Sequence, residues 1–288
     1  MEQKQLGQTG TMIPEIGQGT WQYTAGSDLL RRGVELGACL IDTAEAYGNE
    51  ALVGRAIKDL RDRVFLATKV SPRHFRYPEV LKSADRSLHR LNTDCIDLYQ
   101  LHRPTSTVPI EETMAAMEHL VDLGKVRFIG VSNFAVSELK RAQAAARKYR
   151  IVCNQVRYNL VDRRLEFAVL PFCRQQDITV IAYSPLAQGV QNLLARDSRR
   201  VLARVAVMTE KTVVQVALNW CLSKDRVVVI PKASSVEHLQ ENCGASGWSL
   251  TPDQIRILDR HIRYRPHYPL ETVFRRLARN LLDRIRRV

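Results

Sequence analysis

Long hydrophobic runs are missing from this chain of 288 residues. No stretch approaches the ~18 consecutive apolar residues that a membrane span needs, so none is expected. The start, MEQKQLGQTG, lacks a basic region followed by an apolar segment, which argues against a signal peptide. Paired cysteines are missing too. Cys39, Cys95, Cys153, Cys173, Cys221 and Cys243 lie 20 to 58 residues apart without a CxxC spacing. Most sit in apolar runs, where a thiol behaves as a small buried hydrophobe. That pattern excludes a disulfide framework and a zinc site, predicts no metal, and suits the reducing cytoplasm. Lysine is scarce, with 10 Lys beside 33 Arg. No Pro/Gly/Ser-rich linker divides the chain, and no GxGxxG follows the first strand-like run, which removes the usual dinucleotide fingerprint of a doubly wound sheet.

What is present is a core-forming composition, 45% hydrophobic, with 43 basic against 30 acidic residues and a net charge of +13. The charge directs attention to an anionic partner or to a codon usage that favours Arg. From Met12 onward, short β-branched runs alternate with amphipathic segments. The runs are 15–21, 39–44, 63–70, 95–102, 126–132, 151–156, 178–184 and 226–232. Between them lie a segment opened by Ser27 as a capping candidate, one burying Val53, Ala56, Ile57 and Leu60, and helical patterns ending at Leu91 and before Gly124. Further segments cover Val136–Tyr149, Leu165–Gln176, Thr212–Ser223 and Val236–Cys243. The runs are continuously apolar, as strands covered on both faces are. Eight such strand–helix units predict a single (β/α)₈ TIM barrel domain over 1–288. The barrel proper spans about 15–245, behind an N-terminal extension (1–14), and a C-terminal helical extension occupies about 252–288.

In such a barrel the active site lies at the C-terminal ends of the strands. Asp42, Lys69 and His102 end consecutive runs, and Tyr47 follows Asp42 in the loop IDTAEAYGNE. An acid, a base, an imidazole and a phenol therefore face one mouth. An ammonium beside a phenol favours phenolate and lowers its pKa, so Lys69 is expected to make Tyr47 a workable general acid. Asp42 would hold Lys69 protonated, and His102 would donate to a substrate oxygen. The set suits protonation of an oxygen that gains negative charge, as when hydride is added to a carbonyl.

These four residues, set in IDTAEAYGNE, ATKV and LYQLHRP, resemble the catalytic tetrad of the aldo-keto reductase superfamily. GKVRFIGVSNF (124–134), NQVRYN (154–159), YSPLAQG (183–189) and IPKASSVEHLQEN (230–242) extend the resemblance from about Lys4 to about Asp259. It implies an NADPH-dependent oxidoreductase that reduces aldehydes or ketones, with a small-molecule carbonyl substrate and a nicotinamide cofactor bound without a Rossmann domain. By resemblance, Tyr183 stacks on the nicotinamide while Ser132, Asn133 and Gln155 hold its carboxamide. Asp42, Thr20 and Trp21 border the same ring. Ser184 and Leu186 meet the pyrophosphate. Lys232, Ser234 and Ser235 bind the 2′-phosphate, and Glu241 and Asn242 reach the adenine. Ser234 with Glu237 also reads as a capping box. His238 stands where the family commonly has Arg. An imidazole cannot replace an always-charged fork, so the expected NADPH preference is weakened, NADH use becomes open, and the preference should grow as the imidazole protonates.

Residues 263–288 carry eight Arg against Glu271 and Asp283, and Phe274, Leu277, Leu281, Ile285 and Val288 fall on one helical stripe. A final helix packing on the barrel accounts for this stripe. Its alternatives are surface association with an acidic membrane or binding of nucleic acid, the latter not expected. RYRPHYPL (263–270) is the expected lip of the substrate pocket. The chain is expected to act as a monomer. A different class of function on the same fold is a cofactor-binding regulatory subunit with little physiological turnover.

Overall fold

The computed structural model describes residues 1–262, so the Arg-rich segment and the RYRPHYPL stretch lie outside the described residues. A short hairpin, β1 (Gln3–Gln5) and β2 (Met12–Pro14), precedes eight parallel strands. These are β3 (Gln18–Gly19), β4 (Leu40–Asp42), β5 (Phe65–Val70), β6 (Ile96–Leu101), β7 (Val126–Ser132), β8 (Ile151–Arg157), β9 (Thr179–Tyr183) and β10 (Val227–Ile230), paired in sequence order. Closure comes from the segment before and through β3. Ile16 bridges Val229, and the Gly17 and Gly19 amides donate to the carbonyls of Val229 (2.8 Å) and Pro231 (3.1 Å). Glycine is required at position 19, because a Cβ there would stand 2.6 Å from the Ile230 carbonyl oxygen.

Helices form the outer layer: α1 (Ser27–Glu35), α2 (Glu50–Ile57), α3 (Tyr77–Leu91), α4 (Ile110–Asp122), α5 (Val136–Ala145), α6 (Val169–Gln175), α7 (Val190–Leu194), α8 (Val201–Thr209), α9 (Val213–Leu222), α10 (Val236–Cys243) and α11 (Pro252–His261). The expected (β/α)₈ barrel is the fold observed. Local readings differ in three places. Ser27 is the first residue of α1 rather than its cap, which is Gly26. The connection from β9 to α9 contains α7 and α8, whose periodicity is too short to read alone. On α10 the cap is Ser235, whose hydroxyl accepts from the His238 amide at 3.3 Å, and not Ser234. α11 is held to the barrel by Asp259, which accepts from Trp220 Nε1 at 2.8 Å and pairs with Arg163 at 3.1 Å.

Strand residues alternate between two layers, as the two-residue period of a strand requires. Ile41, Leu66, Tyr99, Leu101, Val227 and Val229 face the helices, whereas Leu40, Phe65, Ala67, Leu98, Val228 and Ile230 fill the barrel. Leu6 and Ile13 of the hairpin join that inner cluster and plug the N-terminal end. The same alternation turns Asp42, Lys69, Gln100 and Gln155 inward near the opposite end. There polar side chains replace the apolar filling. All six cysteines are free. Among the described residues no helix is long and apolar enough to cross a membrane, and no His/Cys/Asp/Glu group is arranged to hold a metal.

Candidate active site

Asp42 is the last residue of β4 and is 2% exposed. Such a carboxylate must be paired, because an isolated buried charge is costly. Lys69 Nζ, itself fully buried on β5, donates to Asp42 Oδ2 at 2.6 Å and to the Thr43 carbonyl at 2.8 Å. The other carboxylate oxygen accepts from Gln155 Nε2 at 2.7 Å and Gln100 Nε2 at 3.2 Å. Gln100 escaped the sequence reading, although a signal exists: it precedes His102 by two residues, so it shares that residue's side of the strand.

Tyr47 is carried by a 3₁₀ turn, Glu45–Tyr47, that ends on Gly48 in the left-handed region (φ 72°), where glycine is the favoured residue. Asn49 ties this loop to its neighbours. It accepts from the Thr43 hydroxyl at 2.7 Å and donates to the Thr20 carbonyl at 2.7 Å. Glu45 accepts from the Ser71 amide and lies 3.0 Å from His74 Nδ1, which joins the loops after β4 and β5. The Tyr47 hydroxyl consequently sits 3.5 Å from Lys69 Nζ, and the ammonium lies 5.0 Å from the ring centroid. His102, just beyond β6, meets the Tyr47 ring edge-on, with centroids 5.6 Å apart and planes at 78°. The structure thus brings all four expected residues together.

The electrostatics correct one expectation. Burial raises the Tyr47 pKa, the neighbouring Lys69 opposes this, and the net shift is upward rather than downward. The phenol is therefore a proton reservoir that stays filled at neutral pH. Burial lowers the Lys69 pKa, but Asp42 and Tyr47 outweigh it and hold the ammonium above its ordinary range. Burial, reinforced by Lys69 and Arg103, pushes His102 down to about 3, so the imidazole is neutral and offers one N–H. A filled phenol, a fixed ammonium behind it and a neutral donor beside it can together protonate and stabilise an oxygen that becomes negative.

These groups open into a cavity of about 590 Å³ at the C-terminal ends of the strands. Thr20, Trp21, Asp42, Tyr47, His102, Ser132, Asn133, Gln155, Tyr183, Ser184, Leu186 and Lys232 all line it. Tyr183 donates to Asn133 Oδ1 at 2.9 Å, and Asn133 Nδ2 donates to the His102 carbonyl at 3.2 Å, so the aromatic platform and the imidazole loop are coupled. Lys232, exposed at the far end, donates to the Gln22 carbonyl at 3.1 Å. Lys69 lies behind Tyr47 and does not line the cavity. Ser234 and His238 pair with each other at 3.1 Å on the exposed start of α10, beside Ser235. Glu241 is half-buried. Asn242 is 4% exposed and faces a crevice between α1 and α10 instead. The chain fits a nicotinamide dinucleotide in its size of cavity, its flat aromatic wall, its amide and hydroxyl groups beside that wall, and a cation at the far end, Lys232, four residues ahead of the N-terminus of α10 in the chain.

The barrel and the buried Asp42–Lys69 pair beneath Tyr47 and His102 define an oxidoreductase site, and comparison with known proteins agrees. The Aldo/keto reductase family model matches residues 8–263. Methylglyoxal reductase YeaE of Escherichia coli is 38% identical over 273 residues, covering 90% of this chain and 95% of that protein. An aldo/keto reductase of Klebsiella pneumoniae, solved with NADP and acetate, is 36% identical with a TM-score of 0.82, covering 89% of this chain and 94% of that one. Another Klebsiella pneumoniae aldo-keto reductase, solved with NADPH, is 35% identical with a TM-score of 0.85, covering 93% and 98%. The chain belongs to the aldo/keto reductase family and is an NAD(P)H-dependent oxidoreductase of carbonyl chemistry.

Proposed function

We propose that this protein is an NADPH-preferring reductase of aldehydes or ketones in which Tyr47 delivers the proton. The observation that carries the reading is the Tyr47 hydroxyl at 3.5 Å from an ammonium locked 2.6 Å from Asp42, at the mouth of a cavity of about 590 Å³. The bound cofactor supplies hydride to the carbonyl carbon. Tyr47 gives its proton to the carbonyl oxygen as that oxygen becomes negative, and Lys69 stabilises the phenolate left behind. Asp42 keeps Lys69 charged and in place. Neutral His102 directs its N–H at the same oxygen and fixes which way the carbonyl points.

Tyr183 would carry the nicotinamide, with Ser132, Asn133 and Gln155 on its carboxamide and Asp42, Thr20 and Trp21 beside it. Ser184 and Leu186 would meet the pyrophosphate, while Lys232, Ser234 and Ser235 would take the 2′-phosphate. His238 would give that phosphate a weaker partner than Arg, so NADH would also be used. Glu241 and Asn242 would reach the adenine, Asn242 after turning out of its crevice. The name of the Escherichia coli relative favours small reactive carbonyls as substrates. Six free cysteines are consistent with work in a reducing cytoplasm. The test adds aldehydes, ketones and sugars to the pure protein with NADPH or NADH and follows cofactor oxidation. Turnover of some carbonyl with NADPH is expected. Cofactor binding without any turnover would favour a regulatory subunit.

A further inference from the structure

Arg157 belongs to the NQVRYN stretch, yet neither the tetrad nor the cofactor contacts above use it. It follows Gln155 by two residues at the end of β8, so both point to the same side of the strand. It lines the cavity, half-buried, beside its register partner Tyr183 on β9. Its guanidinium carbon lies 5.8 Å from the Tyr183 ring centroid. Among the described residues no carboxylate pairs with it and no acceptor takes its N–H groups. The cavity's own carboxylate, Asp42, is already occupied by Lys69, Gln155 and Gln100. A planar, always-charged fork with five donors, held against an aromatic wall without a partner, is arranged for an oxyanion.

We propose that Arg157 is an anion-binding residue of this cavity and takes two oxygens of a phosphate or carboxylate group. The inference rests on the reductase reading, since the anion arrives on one of that reaction's two ligands. It is either the dinucleotide pyrophosphate, next to the Ser184–Gly189 loop, or an acidic group on the carbonyl substrate. In both cases the bond is charge-assisted and bidentate.

Arg157→Gln and Arg157→Lys test this in the full chain. Dissociation constants for NADPH, NADH and ADP-ribose are measured by quenching of tryptophan fluorescence. For pyruvate and its neutral methyl ester, the ratio of kcat/KM values is measured with NADPH. If the pyrophosphate is the anion, Arg157→Gln weakens all three nucleotides by about tenfold or more, the size expected for a charged hydrogen bond, and flattens the dependence of binding on salt. If the substrate supplies the anion, nucleotide binding holds and the acid-to-ester ratio falls by about tenfold. Arg157→Lys, which keeps the charge without the fork, recovers part of either loss. The proposal is overturned if neither quantity moves, or if a folded Arg157→Lys is as impaired as Arg157→Gln. Should the wild-type protein reduce no carbonyl at all, the reductase reading fails by that result alone. The ADP-ribose titration then tests Arg157 on its own: binding weakened about tenfold in Arg157→Gln sustains the pyrophosphate as the anion, and unchanged binding overturns the proposal.

Discussion

Lys69 and Asp42 form a buried ion pair at 2.6 Å, across the adjoining strands β4 and β5, beneath the Tyr47 hydroxyl. Breaking such a pair by removing one partner typically costs about 3–5 kcal/mol, because a charge is left buried alone. Lys69→Met should therefore lower stability by about that amount and abolish most turnover. The double variant with Asp42→Asn should regain part of the stability and none of the activity. Denaturant unfolding of the single and double variants measures this, and a double variant no more stable than Lys69→Met contradicts it.

The depressed pKa of His102 makes acid stability a readout of the site. Its folded value is about 3 against an ordinary 6.5. Between those values the unfolded chain binds a proton that the folded chain does not, so stability falls as pH drops through that window. One group contributes about 1–2 kcal/mol between pH 6.5 and 5. His102→Gln should remove that increment, seen as a smaller loss of Tm from pH 7 to 5 than in the wild type. An identical loss in both proteins would refute the assignment.

The same groups should shape the activity profile. Tyr47 is raised above its ordinary range, so its proton is retained through neutrality and lost only in the alkaline region. His102 stays neutral down to about 3. The rate of reduction, followed as kcat/KM, should accordingly show no histidine limb between about pH 5.5 and 7.5 and decline only on the alkaline side of the ordinary phenol value of about 10. A limb near 6.5 in the wild type that vanishes in His102→Gln would contradict this.

His238 offers a test of cofactor preference. It bonds Ser234 at 3.1 Å on the exposed start of α10, where an anion would meet the helix N-terminus. His238→Arg should tighten NADPH over NADH by about tenfold, the value of one charged hydrogen bond pair. The ratio of the two dissociation constants is the measurement. An unchanged ratio would move the 2′-phosphate away from this helix.

Much of this architecture is legible in the residues themselves. Continuous runs such as FLATKV and VVVI declare buried strands, and the spacing of Asp42, Lys69 and His102 by one strand–helix unit each places them at one mouth. The α10 boundaries, Val236–Cys243, follow from apolar periodicity between Ser235 and Gly244. What is less legible depends on contacts between distant segments. The direction of the Tyr47 shift depends on how deeply neighbouring loops bury the phenol, which outweighs the ammonium that sequence alone brings to mind. The choice of Ser235 over Ser234 as cap is a matter of backbone path. Gln100 and Arg157 are visible as inward positions on their strands, but only the assembled barrel assigns the first to Asp42 and leaves the second facing the cavity.

Tyr47 is the proposed proton donor. Pre-steady-state reduction of a reactive aldehyde by Tyr47→Phe saturated with NADPH, compared with wild type, tests it most directly. Loss of a general acid typically costs about 10²–10⁴-fold, and a fall of that size with NADPH still bound is the expected result. A Tyr47→Phe enzyme that reduces the aldehyde at the wild-type rate would rule Tyr47 out as the donor.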